Sequence, residues 1–317
     1  MGWRLGCVLL LLSTPAWASE TDQFTGRGTP LSDSAWAVDE RVNGAIRAAV
    51  SGWKGARDDF ALAHDIRYKI DGLLGFRRIS FWLEDHPSLE TIDTTRTSRI
   101  YAGLPVWKSM LRFFPHLAHT LNVAGVRVGS DKFTHMFSVG WEEYKRFRKN
   151  GVPAGLAYGY DTEAGVLGSK FEGIFSNGDL VADAEGLLFY RGLFEDGVVA
   201  GKSAMIRWDG DRPVVTREFT IRDHINEYWD EALNTCAYSA PVFEYVARHL
   251  KALCVDYAQN PALYDIDRDR DEELSQRYSS VGLKDNTRAR LGAVCSALPG
   301  SQRSPFSALP GSQSSPF

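Results

Sequence analysis

The chain has 317 residues, of which 44% are hydrophobic, 12% aromatic and 24% charged. This composition is that of a globular protein with a sizeable core, and it excludes the collagen-like, wholly disordered and small disulfide-scaffold classes. The formal charge of −4 at pH 7 argues against general binding of nucleic acid or of an anionic membrane. We therefore expect no nucleic-acid partner.

The first 18 residues have the pattern of a secretory signal peptide. Arg4 precedes the apolar run Val8–Leu12, and the Ala-Trp-Ala sequence at 16–18 gives a small-x-small cleavage site before Ser19. No segment of the sequence reaches the roughly 18–20 uncharged apolar residues that a membrane-spanning helix needs. We therefore expect a periplasmic or secreted protein, cleaved near Ala18, with no membrane-spanning segment.

Three cysteines follow the signal peptide. In an exported protein two of them can form a disulfide. We expect the pair Cys254–Cys295, because Cys295 ends the last predicted helix and a bridge there would fix the C-terminal end to the body. Cys236 is then expected to be a buried free thiol. No Cys-x-x-Cys spacing supports a zinc ribbon or a thioredoxin-like site.

Apolar periodicity predicts a mainly α protein, organised as a single helical domain over residues 34–295. An extended N-terminal segment at 19–33 leads into two helices that span Asp33 to Tyr68 and are interrupted near Gly52–Gly55. Further helices are expected at about 78–85, 105–121, 130–149, 177–195, 223–234, 239–258 and 269–280.

Two segments depart from the helical pattern. At about 204–219, two β-leaning runs flank Asp209-Gly210, which predicts one β-hairpin inserted between helices. Residues 296–317 form a tandem repeat whose two copies differ at Arg303 and Ser314. This tail is rich in Pro, Gly and Ser and buries too little apolar surface to offset its ordering entropy, so we expect it to be disordered.

One predicted helix carries a row of short polar side chains. Asp131, His135, Ser138 and Glu142 follow helical spacing and fall on one face. Solvent-facing helix surfaces are usually made of Lys, Glu and Arg, whereas the first turns of this helix place Asp, Thr, His and Ser among large apolar residues. An Asp and a His at i,i+4 can also hold a divalent metal.

A second predicted helix carries two aspartates on one face. It begins after Ser176, whose Ser-x-x-Asp spacing to Asp179 is that of a capping box. Asp179 and Asp183 form a like-charge i,i+4 pair, which costs roughly 0.2–0.5 kcal/mol unless a cation, a metal or a raised pKa relieves it. Gly186 follows on the same face and indicates a close approach, by His135, by Lys132 or by a bound metal. We therefore predict that the two helices pack with these faces together.

The order of these residues resembles a known pattern. Asp131-Lys132-x-x-His135, then Glu163, then Ser176-x-x-Asp-Leu-x-Ala resembles the motif order of VanZ-type glycopeptide-resistance proteins and YfiM-type lipoproteins. The chain is also similar overall to exported bacterial proteins. The resemblance covers residues 131–186 and implies no particular reaction. Position 183 is Asp where the pattern has Asn, and VanZ-type proteins are membrane-embedded.

The first function that fits these residues is hydrolysis of an envelope glycan or a lipid-linked substrate. Glu163 and Asp179 would be paired catalytic carboxylates, and His135 would be a base or a metal ligand. Lys132 and Tyr190 would bind the substrate. One divalent metal would be held by Asp131, His135 and Asp183.

The alternative is a non-catalytic envelope protein with a structural or binding role. In that case Asp131, Lys132, His135, Asp179 and Asp183 form a buried network of mutually satisfied charges. In both cases the expected partner is a component of the cell envelope. The sequence leaves open whether the protein is an enzyme: an open cleft above the cluster indicates a catalytic site, and a sealed cluster indicates a structural network.

Overall fold

The computed structural model describes residues 20–72, 78–105, 107–109, 111, 116–165, 169–170 and 172–297. The predicted signal peptide at 1–18 and nearly all of the predicted tail at 296–317 lie outside these residues. The described part of the chain is mainly α-helical, as predicted. Its helices are α1 (Ala35–Gly52), α2 (Asp59–Asp71), α3 (Arg78–Asp85), α4 (Asp131–Thr134), α5 (Gly140–Asn150), α6 (Val152–Glu163), α7 (Asn177–Gly192), α8 (Ala240–Leu250), α9 (Cys254–Gln259), α10 (Arg268–Arg277) and α11 (Leu291–Ser296).

The described strands are short and form three antiparallel pairs. They are β1 (Thr120–Val123) with β2 (Val126–Gly129), β3 (Ile174–Phe175) with β6 (Ala237–Tyr238), and β4 (Ile206–Asp209) with β5 (Arg212–Val215). The turn between β4 and β5 holds Gly210 at a φ of 59°, a backbone conformation that glycine adopts readily.

Two predicted helices are absent from the described residues. In the segment 105–121 the described residues form turns, 3₁₀ backbone at Leu111 and the start of β1. The segment 223–234 contains a 3₁₀ turn at Glu227–Trp229 and irregular backbone. Side-chain hydrogen bonds explain why this segment is not helical. The Asn226 carboxamide accepts the Tyr228 N–H, and the Asp230 carboxylate accepts the Ala232 N–H. These bonds replace the backbone hydrogen bonds of a helix.

The predicted helix at 130–149 is continuous but changes its winding. A π-helical turn at His135–Val139 joins α4 to α5. Such a turn inserts one extra residue and rotates everything after it relative to a regular helix. The regular α-helical period predicted Glu142 on the face of Asp131 and His135. In the structure Glu143 is the buried glutamate, whereas Glu142 pairs with Lys145 and Arg146 near the surface.

Helix α7 is the central element of the main apolar core, and nearly all of its residues are buried. It packs against the π-helical turn and α5 at a contact between two glycines. A Cβ atom added to Gly186 would lie 2.0 Å from the Met136 carbonyl oxygen, and one added to Gly140 would lie 2.6 Å from the Gly186 Cα. The close approach predicted at Gly186 is thus made by the Met136 backbone rather than by the side chain of His135 or Lys132.

The C-terminal part of the chain is tied to the body through a smaller apolar cluster that includes Val246, Leu250 and Leu291. The Sγ atoms of Cys254 and Cys295 are at disulfide distance, as predicted, and Cys236 is a buried free cysteine. Among the described helices, none combines the length and the hydropathy that crossing a bilayer requires.

Candidate functional site

The cluster lies where the start of α4, the π-helical turn and the first turns of α7 meet. Ser176 caps α7, and its hydroxyl oxygen accepts the Asp179 N–H at 3.1 Å. In a complete capping box the Asp179 carboxylate would accept the Ser176 N–H. That N–H instead donates to Glu163 Oε1 at 2.7 Å. Because Glu163 takes this N–H, the Asp179 carboxylate is available to pair with Lys132 and His135.

Lys132 is the cationic centre of the cluster, and its side chain is fully buried. Its Nζ lies 2.9 Å from Asp131 Oδ2, 2.7 Å from Asp179 Oδ1 and 2.6 Å from Glu231 Oε1. Burial alone would lower the pKa of Lys132, but the three carboxylates outweigh it and hold the pKa well above its ordinary value. Lys132 therefore stays charged, and its ion pairs connect α4, α7 and the segment that carries Glu231.

His135 lies between two carboxylates of α7. Its Nδ1 is 2.9 Å from Asp183 Oδ1, and its Nε2 is 3.3 Å from Asp179 Oδ2. Burial opposes the charged form, but Asp179 and Asp183 outweigh it and raise the pKa of His135 to about 10. Both ring nitrogens then carry protons. Nδ1 forms a hydrogen bond with Asp183, whereas Nε2 faces Asp179 Oδ2 as an ion-pair contact without hydrogen-bond geometry. In this arrangement the ring has no free lone pair for a substrate or a metal.

The pKa values of the carboxyl groups in and beside the cluster are shifted in different directions. Burial opposes ionisation of Asp179, but His135 and Lys132 outweigh it and lower the pKa of Asp179. Burial and the nearby Asp179 raise the pKa of Glu163 well above its usual range. The pKa of Asp183 is raised because burial outweighs the attraction of His135. The pKa of Asp179 is thus shifted down by its two cationic neighbours, while the pKa values of the acids around it are shifted up.

The structure brings together most of the residues that the sequence singled out. Tyr190 is separate: its hydroxyl donates to the Phe137 carbonyl at 2.6 Å, and its ring stacks on Tyr144 in the apolar core. Ser138 is also separate, since its hydroxyl donates to Asp71. Tyr190, predicted to bind the substrate, is therefore a core residue with no exposed surface.

The predicted metal ligands are not arranged as a coordination group. Asp131 binds Lys132, whereas Asp183 binds His135. Within the described residues, the one group of three or more side chains whose potential ligand atoms all lie within 4.8 Å of one another is Glu20, Glu231 and Cys236. A metal at Asp131, His135 and Asp183 would require these ion pairs to open.

Several buried acids next to the cluster were missed by the sequence analysis. They are Glu20, Glu143, Glu172 and Glu231. Glu143 was missed because the π-helical turn shifts the helical period. Glu20 and Glu172 lie in irregular segments, where no periodicity indicates which side chain points inward. Glu231 lies in the segment 223–234, which was predicted to be helical and is irregular.

No family model, curated protein or solved structure matches the chain significantly. The resemblance to VanZ-type and YfiM-type proteins therefore remains a proposal that depends on residues 131–186.

Proposed function

We propose that the chain is an exported, envelope-associated protein in which the cluster has a structural role. The cluster is the set Asp131, Lys132, His135, Asp179 and Asp183. The observation that carries the proposal is that none of these five side chains exposes more than 5% of its surface. Each of the two cations is held by at least two carboxylates. A substrate would have to break these ion pairs before it could touch a reactive group.

We also propose that residues 34–295 act as one helical domain into which the β4–β5 hairpin is inserted. The ion pairs of Lys132 with Asp179 and Glu231 support this, because they join distant parts of this range. The N-terminal segment contacts the residues around Glu231. The Gln23 side chain accepts the Glu231 N–H at 2.8 Å, and Arg27 forms a buried ion pair with Asp230 at 2.7 Å. The network would then link the N-terminal segment to α4 and α7 within one cooperative unit.

The proposed location depends on two features of the sequence and one of the structure. The signal-peptide pattern at 1–18 and the resemblance over residues 131–186 favour an exported protein of the bacterial envelope. The Cys254–Cys295 pair supports it, because disulfides persist in oxidising compartments. The partner we propose is a component of the envelope.

Hydrolysis is a second candidate, because the structure places two nearby carboxyl groups in different electrostatic environments. Glu163 and Asp179 have pKa values displaced in opposite directions, which is the pattern of an acid and base pair. If these residues are catalytic, replacing them should remove activity on an envelope glycan. In the structural role, their loss should reduce stability.

Replacing His135 with glutamine distinguishes the two candidates. The change removes a buried charge and a charge-assisted hydrogen bond, so the structural role predicts a loss of about 1.5–3 kcal/mol in the free energy of unfolding. The matched control is His64→Gln, at an exposed position of α2, which should stay within about 0.5 kcal/mol of the parent. Urea unfolding measures both. A His135→Gln protein that keeps the parent stability but loses hydrolysis of an envelope glycan would support the catalytic role.

A further inference from the structure

A second cluster of ligand-type side chains lies beside the Lys132 network. It consists of Glu20, Glu231 and Cys236, which come from three separate places in the chain. One ligand atom from each lies within 4.8 Å of the other two, and all three residues are buried. The resemblance over residues 131–186 does not include any of them.

Long-range contacts fix the backbone at or next to each of these three residues. The Glu20 carbonyl oxygen accepts the Ala118 N–H at 3.0 Å. Glu231 follows Asp230, whose carboxylate is bound by both terminal nitrogens of Arg27. Cys236 immediately precedes β6, which pairs with β3. The three side chains therefore meet because the fold places them together.

The unsatisfied polar atom at this cluster indicates a missing partner. Glu20 is 6% exposed, and among the described residues no nitrogen or hydroxyl donor binds its Oε2. The side chain that shares a hydrogen bond with the Glu20 carboxyl is another buried acid, Glu172, so within the described part of the chain the two acids together still lack a cation. A buried carboxylate oxygen without a partner is costly, and native proteins rarely leave one. On Glu231, the hydrogen bonds from Lys132 and Ser176 both fall on Oε1. Cys236 contributes a thiol that is outside the disulfide.

We propose that Glu20, Glu231 and Cys236 bind one thiophilic divalent cation of the Zn²⁺ type. Two carboxylate oxygens and a sulfur suit Zn²⁺, whereas Mg²⁺ and Ca²⁺ select oxygen-only sites. Tetrahedral ligands at about 2.0–2.3 Å from zinc lie roughly 3.3–3.8 Å apart, so small side-chain movements complete the site. Three protein ligands leave a fourth position for a water molecule. The cation gives Glu20 Oε2 its partner and offsets surplus negative charge beside Lys132.

Cobalt titration of the full-length protein, freed of metal with a chelator, tests this site. Co²⁺ bound to a thiolate gives a charge-transfer absorption in the near ultraviolet. We expect one Co²⁺ per chain with this band, and its displacement by Zn²⁺. Cys236→Ser should abolish the band, and Glu20→Gln should weaken binding by roughly tenfold or more, about 1.4 kcal/mol. Glu231 is left unchanged because it also binds Lys132.

Glu143→Gln is the matched control, since Glu143 is a buried acid outside the ligand set. It should leave the Co²⁺ affinity unchanged. Zn²⁺ should also raise the melting temperature of the parent protein more than that of Glu20→Gln, and this readout remains if Cys236→Ser does not fold. The proposal is overturned if folded parent protein gives no charge-transfer band, if the band persists in Cys236→Ser, or if Glu20→Gln and Glu143→Gln weaken binding equally.

Discussion

Replacing Lys132 with methionine should lower the free energy of unfolding by about 3–5 kcal/mol, because it leaves buried carboxylates without their cation. Methionine approximates the length and volume of the lysine stem, so the loss reports mainly the charge. Asp131, Asp179 and Glu231 all lie within 2.9 Å of the Lys132 Nζ. Without it they must either bind protons or repel one another. Guanidinium unfolding followed by circular dichroism measures the effect.

Lys145→Met is the matched control for this prediction. Lys145 pairs with Glu142 on the surface of α5, and its side chain is 36% exposed. A surface ion pair of this kind contributes about 0–1 kcal/mol, so the control should remain close to the parent. If Lys132→Met and Lys145→Met have similar, small effects, then the buried network does not stabilise the fold.

Gly186→Ala should destabilise the protein by about 3 kcal/mol or more, even though alanine favours helix by about 0.8–1 kcal/mol over glycine. The added Cβ atom would lie 2.0 Å from the Met136 carbonyl oxygen and 2.9 Å from the Gly140 Cα. Both neighbours are backbone atoms and cannot move aside as a flexible side chain would. Helix α7 would have to separate from the π-helical turn that carries His135. Thermal and denaturant unfolding both measure the loss.

Gly44→Ala in α1 is the control for helix propensity. A Cβ atom added to Gly44 would meet no other atom within 4 Å. This variant should therefore gain up to about 1 kcal/mol. A stabilised Gly186→Ala protein would show that α7 and the π-helical turn are not in the close contact described above.

The helical face of the cluster was predictable because its residues follow local rules. Asp131 and His135 are spaced by one α-helical turn, and so are Asp179 and Asp183. The repulsion between Asp179 and Asp183 requires a cation nearby, and the first helix supplies Lys132 and His135. The structure places His135 between the two aspartates, as the predicted packing requires.

The rest of the cluster depends on interactions that no local pattern encodes. Glu163 binds the Ser176 N–H through an inter-segment contact, so the capping box that the sequence suggested is only half formed. Glu231 lies in a segment predicted to be helical, where side-chain hydrogen bonds to the backbone prevent the helix. The π-helical turn changes the helical period, so Glu143 is buried and Glu142, which the regular period predicts on the face of the cluster, is not. The capping box was thus altered by a tertiary contact, and the predicted helix by local side-chain hydrogen bonds that compete with helical ones.

The protonation state of His135 in the native protein tests the structural role most directly. In the network His135 is a buried cation that faces Asp179 and Asp183, with Lys132, Glu163 and Glu143 acting on it from α4, α6 and α5. Its folded pKa of about 10 lies above the unfolded value of about 6.5. The stability that it contributes is therefore complete below about pH 6.5 and is lost as the pH rises towards 10.

Ring-nitrogen NMR of histidine-labelled protein, with the His135→Gln variant used for assignment, measures this state. Our account predicts that at pH 8 His135 is still an imidazolium, with protons on both Nδ1 and Nε2. A neutral His135 ring at pH 8, titrating near pH 6.5 as an exposed histidine does, would contradict it.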